Sequence, residues 1–186
     1  MILSENKILY HGSYALVDKP NLDKCKEGKD FGRGFYLTTD KKQAERFAKM
    51  SLRKAISAGV VDKKTKNGYI SSFVYNGNPE ISVYAFDDAD SEWLHCVVAH
   101  RRKNAFMDLI KLWEGYDIIC GKIANDNTNL VITAYMDGFY GEIMSDGADE
   151  IAIRFLEPEN LKDQLCFRTE KAIQSLKFMD SKEVYL

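Results

Sequence analysis

Two short segments near the N-terminus combine side chains that can bind and position a ligand. The apolar run Ile8-Leu9-Tyr10 leads into His11-Gly12-Ser13, and Phe31-Gly32-Arg33-Gly34 leads into Phe35-Tyr36. An imidazole both donates and accepts hydrogen bonds, whereas closely spaced glycines allow positive φ or close approach of another backbone. A lone histidine at a strand end is as often structural as functional, but the glycine-rich aromatic segment favours a binding site.

Periodicity predicts the elements that hold these residues in place. The first apolar run is typical of a buried strand that ends at His11, and Phe35 to Thr38 of a second strand. Asp40, followed three residues later by Gln43, indicates the start of a helix whose apolar face includes Phe47. The helix is expected to end near Gly59.

The remainder of the chain alternates strand and helix patterns without a repeat or a linker. Ile70 to Tyr75 and Ile81 to Phe86 are β-branched and aromatic runs separated by Asn76-Gly77-Asn78-Pro79, which predicts an antiparallel pair. Leu165 to Phe167 is predicted as a late strand, and Val184 to Leu186 as a short edge strand.

Composition predicts one cytoplasmic domain. The chain has 186 residues, 45% of them hydrophobic, and a formal net charge of -2, so no global field attracts it to nucleic acid or to an anionic membrane. The N-terminal residues lack the apolar stretch of a signal peptide, and no run has membrane-spanning length. The four cysteines are widely spaced and are expected to be reduced and buried.

A metal site is not expected. Cys96 and His100 lie four residues apart on a predicted helix and could share a metal ion. Two ligands without partners at a fixed spacing are more often core residues, so the sequence predicts no metal. The glycines between positions 31 and 34 do not stand between a strand and a helix, which argues against a dinucleotide-binding Rossmann fold.

Together the two N-terminal segments resemble the first two signature blocks of the poly(ADP-ribose) polymerase-like branch of the ADP-ribosyltransferase superfamily. Those blocks are a His-Gly pair ending a first strand and a Phe-Gly-basic-Gly turn leading into a strand that carries a tyrosine. Over nearly its whole length the chain also resembles domain of unknown function 3990, a bacterial family regarded as ADP-ribosyltransferase-like. The resemblance implies an α+β fold with two small, mainly antiparallel sheets flanked by helices around an NAD cleft, formed by residues 1–186 as one domain.

The resemblance implies a role for each residue of the two blocks. His11 would bind a ribose hydroxyl of the adenosine half of NAD, and Gly12 would offer its backbone to the nicotinamide carboxamide. Tyr36 and Phe47 would sandwich the nicotinamide ring, since aromatic faces favour stacking with a cationic ring. By the same resemblance Ser13 and Gly34 line the cleft.

The third signature element departs from the family pattern. Where a glutamate usually begins a late strand, this chain has Gln164, which can bind the 2'-hydroxyl of the nicotinamide ribose but cannot stabilise a cationic sugar by charge. Asp163 is expected on the opposite strand face and Glu170 beyond the strand. Asp126 is a weaker candidate for the cleft, and Ala44 stands where related enzymes often have a serine.

The expected function is NAD-dependent mono-ADP-ribosyl transfer, with His11, Tyr36 and Gln164 as catalytic residues. The acceptor would be a macromolecule, protein or nucleic acid. By analogy the chain would act as a toxin or effector with a small antitoxin-like protein partner and without a membrane. Three alternatives remain: an NAD-binding or sensing module with little turnover, an NAD glycohydrolase, and a protein-interaction scaffold without NAD chemistry.

Overall fold

A computed structural model describes residues 3–102, 104, 106–123 and 126–186, with the backbone alone for residues 126 and 127. Strands and helices alternate in an α+β arrangement. The strands are β1 (Ile8–Ser13), β2 (Phe35–Leu37), β3 (Asn67–Tyr75), β4 (Val83–Ala85), β5 (Ile118–Lys122), β6 (Asp163–Phe167) and β7 (Leu176–Tyr185). The helices within the described residues are α1 (Lys41–Ser57), α2 (Ser91–Arg101), α3 (Met107–Glu114), α4 (Asp126–Met136), α5 (Asp146–Leu156) and α6 (Glu170–Gln174).

The strands form two small sheets. One has the order β1-β3-β7 and is antiparallel, and the other has the order β2-β6-β5-β4. In the second sheet β2, β6 and β5 are antiparallel, whereas β4 and β5 are parallel. The mainly antiparallel two-sheet architecture matches the expectation, with one parallel pair at an edge.

The predicted antiparallel pairing of β3 with β4 is wrong. β1 and β7 occupy the two edges of β3 along its length, so no edge of β3 is left for a third strand. At the end of β3 the amide of Asn76 donates to the Ser175 carbonyl at 2.7 Å, and the chain then leaves for the other sheet. β7 is also longer than the edge strand predicted at its end, and α3 was not predicted.

Within the described residues, a β-bridge joins the two sheets next to the two N-terminal signature segments. Tyr10 and Thr38 exchange two backbone hydrogen bonds, of 2.8 and 3.0 Å, as an isolated antiparallel pair. Strand β1 therefore pairs with β3 along one edge, and at its other edge Tyr10 pairs with Thr38, the residue that follows β2.

Alternating side chains of the second sheet contribute to two cores. Phe35, Leu37, Leu165 and Phe167 pack in a cluster that includes Phe73 of the first sheet. The opposite face of the second sheet carries Tyr36 and Cys166, which pack with a cluster that includes residues of α2 and α5. Thus β2 separates two different environments, one on each side of its backbone.

Helix α1 begins and ends as its sequence predicts. The side chain of Asp40 caps it by accepting from the amides of Lys42 and Gln43 at 2.8 and 3.1 Å, and Gly59 follows its end at φ 69°. Ala44 and Ala48 bring the helix onto the first sheet.

Burial of the cysteines follows the prediction in three of four cases: Cys96, Cys120 and Cys166 are buried, Cys25 is half-buried, and all four are free thiols. No helix formed by the described residues combines the length and the apolar character that crossing a membrane requires.

Candidate functional site

His11 links the two signature segments directly. Its Nδ1 lies 2.8 Å from the carbonyl oxygen of Tyr36, and its ring packs on that of Phe35 with centroids 4.4 Å apart. A carbonyl only accepts, so Nδ1 carries the proton and donates, which leaves Nε2 of the neutral ring as an acceptor. Burial lowers the pKa of His11, despite the opposing effect of the hydrogen bond to Tyr36, and favours this neutral form.

Gly12 lies where the outer edge of β1 becomes open. In an antiparallel strand the N–H and C=O of alternate residues point to the same side, so those of Gly12 point to the edge where Tyr10 meets Thr38. The bridge is isolated at that pair, and the edge beyond it is not covered by β2. Ser13 is half-buried, and its hydroxyl accepts from the Ala15 amide at 3.4 Å.

A side chain at position 12 would not fit against α1. A Cβ there would lie 2.0 Å from the Ala44 carbonyl oxygen and 2.8 Å from the Ala48 nitrogen. This close approach fixes α1, which carries the half-buried Phe47, on the face of β1 opposite the ring of His11. Gln43, which the sequence analysis used only as a signal for the start of the helix, lies one turn earlier. It is 4% exposed, and neither of its amide atoms has a partner among the described residues.

Tyr36 and Gly34 are engaged within the fold. The Tyr36 hydroxyl donates to the Gly32 carbonyl at 2.8 Å and accepts from the Phe31 amide at 2.9 Å, so it closes the turn before β2. A Cβ on Gly34 would lie 2.4 Å from the sulfur of Cys166, because β2 and β6 approach closely there. The Tyr36 ring lies on the face of β2 opposite Phe35, and His11 packs on Phe35 rather than on Tyr36.

Gln164 lies on the Tyr36 side of the sheet, 5% exposed. Its amide nitrogen donates to Asp30 Oδ2 at 2.8 Å and to the Lys122 carbonyl at 3.3 Å. The other carboxylate oxygen of Asp30 accepts from Arg101 at 2.7 Å. The carboxylate nearest to Gln164 is therefore already compensated by a guanidinium, and no local sequence signal pointed to Asp30, which lies 134 residues away.

The other carboxylates considered from the sequence lie apart from this pair. Asp163 forms an ion pair with Lys122 at 3.4 Å, and Glu170 is an exposed residue at the start of α6. The side chain of Asp126 lies outside the described residues. Among the residues that are described, no three or more His, Cys, Asp or Glu side chains are grouped so that they could hold a metal ion.

The structure thus places the His11 ring against Phe35 and α1, with Phe47, against the opposite face of β1 at Gly12. Tyr36 and Gln164 lie on the face of β2 and β6 opposite Phe35. Comparison with curated proteins finds no match to the chain. A family model described as a protein of unknown function, DUF3990, matches residues 7–178, which is most of the chain. The chain belongs to the DUF3990 family.

Proposed function

We propose that the chain binds NAD at the open edge of β1 and transfers its ADP-ribose to a macromolecule. The observation that carries the proposal is the arrangement of two adjacent residues: His11, whose bond to Tyr36 leaves Nε2 as an acceptor, and Gly12, whose backbone N–H and C=O point to the open edge. The amide N–H and C=O of one residue match the acceptor and donor of a carboxamide.

Each group contributes binding rather than covalent chemistry. Neutral His11 accepts a hydrogen bond from a ribose hydroxyl, and Phe47 offers an aromatic face from α1. In the reaction the bond between the ribose carbon and nicotinamide breaks, nicotinamide keeps the electron pair, and the acceptor bonds to that carbon and loses a proton.

The first test is NAD binding by thermal denaturation of the full chain. A ligand that binds only the folded state raises the midpoint, and the stabilisation grows with the logarithm of ligand concentration, reaching about 2.7 kcal/mol at a hundredfold excess over Kd. A raised midpoint supports the proposal, and an unchanged midpoint at saturating NAD rejects it. Labelled NAD incubated with cell lysate then separates transfer to protein, transfer to nucleic acid and release of free ADP-ribose.

A second candidate is an NAD-binding sensor with little turnover, favoured by the state of Gln164. Its amide is neutral and already donates to Asp30, so neither charge nor a free donor is offered to the sugar. The hydrolase alternative has no feature of this kind in its favour. A small neutralising protein partner belongs with the transferase proposal by analogy only.

Replacing Gln164 distinguishes the sensor from the transferase. Gln164→Glu alone would set a carboxylate against Asp30, so Asp30→Asn is added to supply an amide donor in exchange. If the missing charge limits a sensor, the double variant gains at least about tenfold in turnover of labelled NAD over the wild type. The single variant Asp30→Asn is the matched control, and equal turnover in all three proteins contradicts the sensor.

A further inference from the structure

A stripe of basic residues runs along the solvent side of α1. Its members recur at intervals of four, three and four residues: Lys42, Arg46, Lys49 and Arg53. Residues at these spacings lie on one side of an α-helix, and a set of this length extends for about 16 Å. The helix packs on the first sheet by its opposite side, through Ala44 and Ala48. The basic stripe is therefore directed away from the protein, and three of its four members are exposed.

The basic stripe keeps most of its positive charge. Lys49 forms an ion pair with Glu45 at 3.0 Å. Lys42, Arg46 and Arg53 form no ion pair within the part of the chain that the structure describes. Exposed lysines follow in the loop between α1 and β3: Lys63, Lys64 and Lys66. The helix and the loop after it thus present unneutralised cations to the solvent.

The net charge of the chain conceals this surface. Residues 41–66 contain nine lysines and arginines but two acidic residues, whereas the whole chain has a formal net charge of -2. The compensating acids are concentrated in residues 137–159, which contain seven aspartates and glutamates but one arginine. That segment includes α5, which packs against α2 and α4. Because the opposite charges lie on different helices, a polyanion can bind locally although the molecule as a whole is acidic.

The chemistry of the basic stripe fits a phosphate backbone better than another protein. Protein interfaces have an apolar and aromatic centre and are depleted of lysine. No large hydrophobic residue of α1, a helix described throughout, is exposed. A second copy that docked its acidic segment on the stripe would therefore depend on surface ion pairs, each worth about 0–1 kcal/mol. A nucleic acid gains affinity from the same cations, because each contact with a phosphate releases counterions.

The geometry favours duplex DNA over other nucleic acids. Proteins that bind single strands stack the bases on aromatic side chains, and the solvent side of α1 exposes none. An α-helix is about 10–12 Å wide and fits the major groove of B-DNA, which is about 12 Å wide. The major groove of an RNA duplex is too narrow for this approach. A stripe made of lysine and arginine contacts phosphates and does not read the base sequence.

We propose that the basic stripe of α1, together with the loop after the helix, binds the phosphate backbone of duplex DNA without sequence preference. The surface adjoins the edge assigned to NAD, because the ammonium group of Lys41 lies 5.5 Å from the centre of the Tyr10 ring, one residue before His11. The binding itself needs no NAD. That the bound DNA is the acceptor of ADP-ribose rests on the proposed function.

The test is fluorescence anisotropy of a labelled duplex of about 20 base pairs, or two helical turns, titrated with the full chain between about 50 and 200 mM salt. We expect binding that weakens as salt rises. The variant Lys42→Gln/Arg46→Gln/Arg53→Gln removes three exposed charges and keeps good helix formers. It should bind at least about tenfold more weakly, and the slope of log K against log salt should fall by about 0.9 for each lost phosphate contact.

The matched control removes three charges elsewhere. Lys24→Gln/Lys26→Gln/Lys29→Gln changes exposed residues of the loop before β2 and should weaken binding by less than about threefold. Circular dichroism checks that both variants keep the helix content of the wild type. Absence of salt-dependent binding, or an equal loss in the two variants, overturns the proposal.

Competitors and labelled NAD separate the remaining outcomes. An RNA duplex or a single strand that competes as well as duplex DNA overturns the choice of occupant, as does self-association that the α1 variant abolishes without any binding of DNA. DNA binding without transfer of ADP-ribose to the DNA rejects its role as acceptor and leaves the binding surface in place. Stabilisation by NAD without binding of DNA rejects the surface and leaves the NAD proposal in place.

Discussion

His11 and His100 each donate a ring N–H to a backbone carbonyl, that of Tyr36 at 2.8 Å and that of Cys96 at 2.9 Å. In both, the bond fixes the tautomer and leaves Nε2 as the acceptor. His11 is anchored across strands by a residue 25 positions away, whereas His100 is anchored by the carbonyl four residues earlier in its own helix. Any histidine within a helix could form the second kind of hydrogen bond, because the partner carbonyl lies in the same helix.

The surroundings separate the two residues. His11 is half-buried at a strand edge, while His100 is enclosed by the turn at Gly32. A hydrogen bond to a backbone carbonyl therefore fixes the tautomer in each case, and tertiary contacts decide how far each ring is enclosed.

Disrupting the surroundings of His11 should have the largest effect on stability. Gly12→Ala forces a methyl group against the backbone of α1 at Ala44, which cannot move without shifting the helix, so we expect a loss of about 3 kcal/mol or more in the free energy of unfolding. Urea denaturation measures it. Gly147→Ala is the control, because no atom lies within 4 Å of its added Cβ, and it should be neutral or stabilise α5 by up to about 1 kcal/mol. Equal effects of the two substitutions would show that α1 is not fixed on β1.

Disrupting the setting of His100 should cost less. Gly32→Ala combines a left-handed backbone with a side-chain contact, and we expect a loss of about 2 kcal/mol. Gly28→Ala shares the positive φ, at 72°, but meets no atom within 4 Å, so it should cost only about 1 kcal/mol. Adding His100→Ala to Gly32→Ala tests the contact in a double-mutant cycle, and strict additivity would mean that ring and turn do not interact.

The parts of this molecule that local sequence determines were predictable. Asp40 and Gly59 mark the limits of α1, and the alternation of Phe35, Tyr36 and Leu37 gives the two faces of β2, because caps and strand periodicity depend on near neighbours. The contact between the two signature segments, through the His11 ring, is consistent with their joint use in one site.

The parts that depend on distant partners were not predictable. β3 satisfies all its pairing with β1 and β7, which no turn signal near Asn76 reveals. Gln164 was identified as a polar residue at a strand start, but its bond to Asp30 joins segments that have no local relation. The enclosure of His100 was not predictable either, because it depends on Gly32, which lies in a distant part of the sequence.

Substitutions of the two histidines should also differ in their effect on NAD binding. His11→Phe keeps a planar ring and removes the acceptor proposed for the ribose hydroxyl, so we expect the Kd for NAD to rise about tenfold, equivalent to about 1.4 kcal/mol. His100→Phe is the matched substitution in the other setting and should change this Kd by less than about twofold. Calorimetric titration compares the three proteins. If both variants weaken NAD binding equally, the loss is not specific to the ring of His11, and the role proposed for His11 fails.

The smallest expected effect is on the pH dependence of stability, and it concerns both rings together. Burial lowers each pKa below the ordinary value of 6.5. Above that pH both rings are neutral in the folded and unfolded chain, and their contribution to stability is fully present. As pH falls below 6.5 the unfolded chain takes up protons first, so stability is lost until the pH has passed the lowered pKa of each folded ring.

Melting temperatures measured between about pH 8 and about pH 5 follow this loss of stability. Each kcal/mol of lost stability lowers the melting temperature by about 2–4 °C. His11→Gln and His100→Gln should each flatten the slope below pH 6.5, and the double variant should flatten it further. A slope that is unchanged in the double variant would show that neither ring causes the pH dependence.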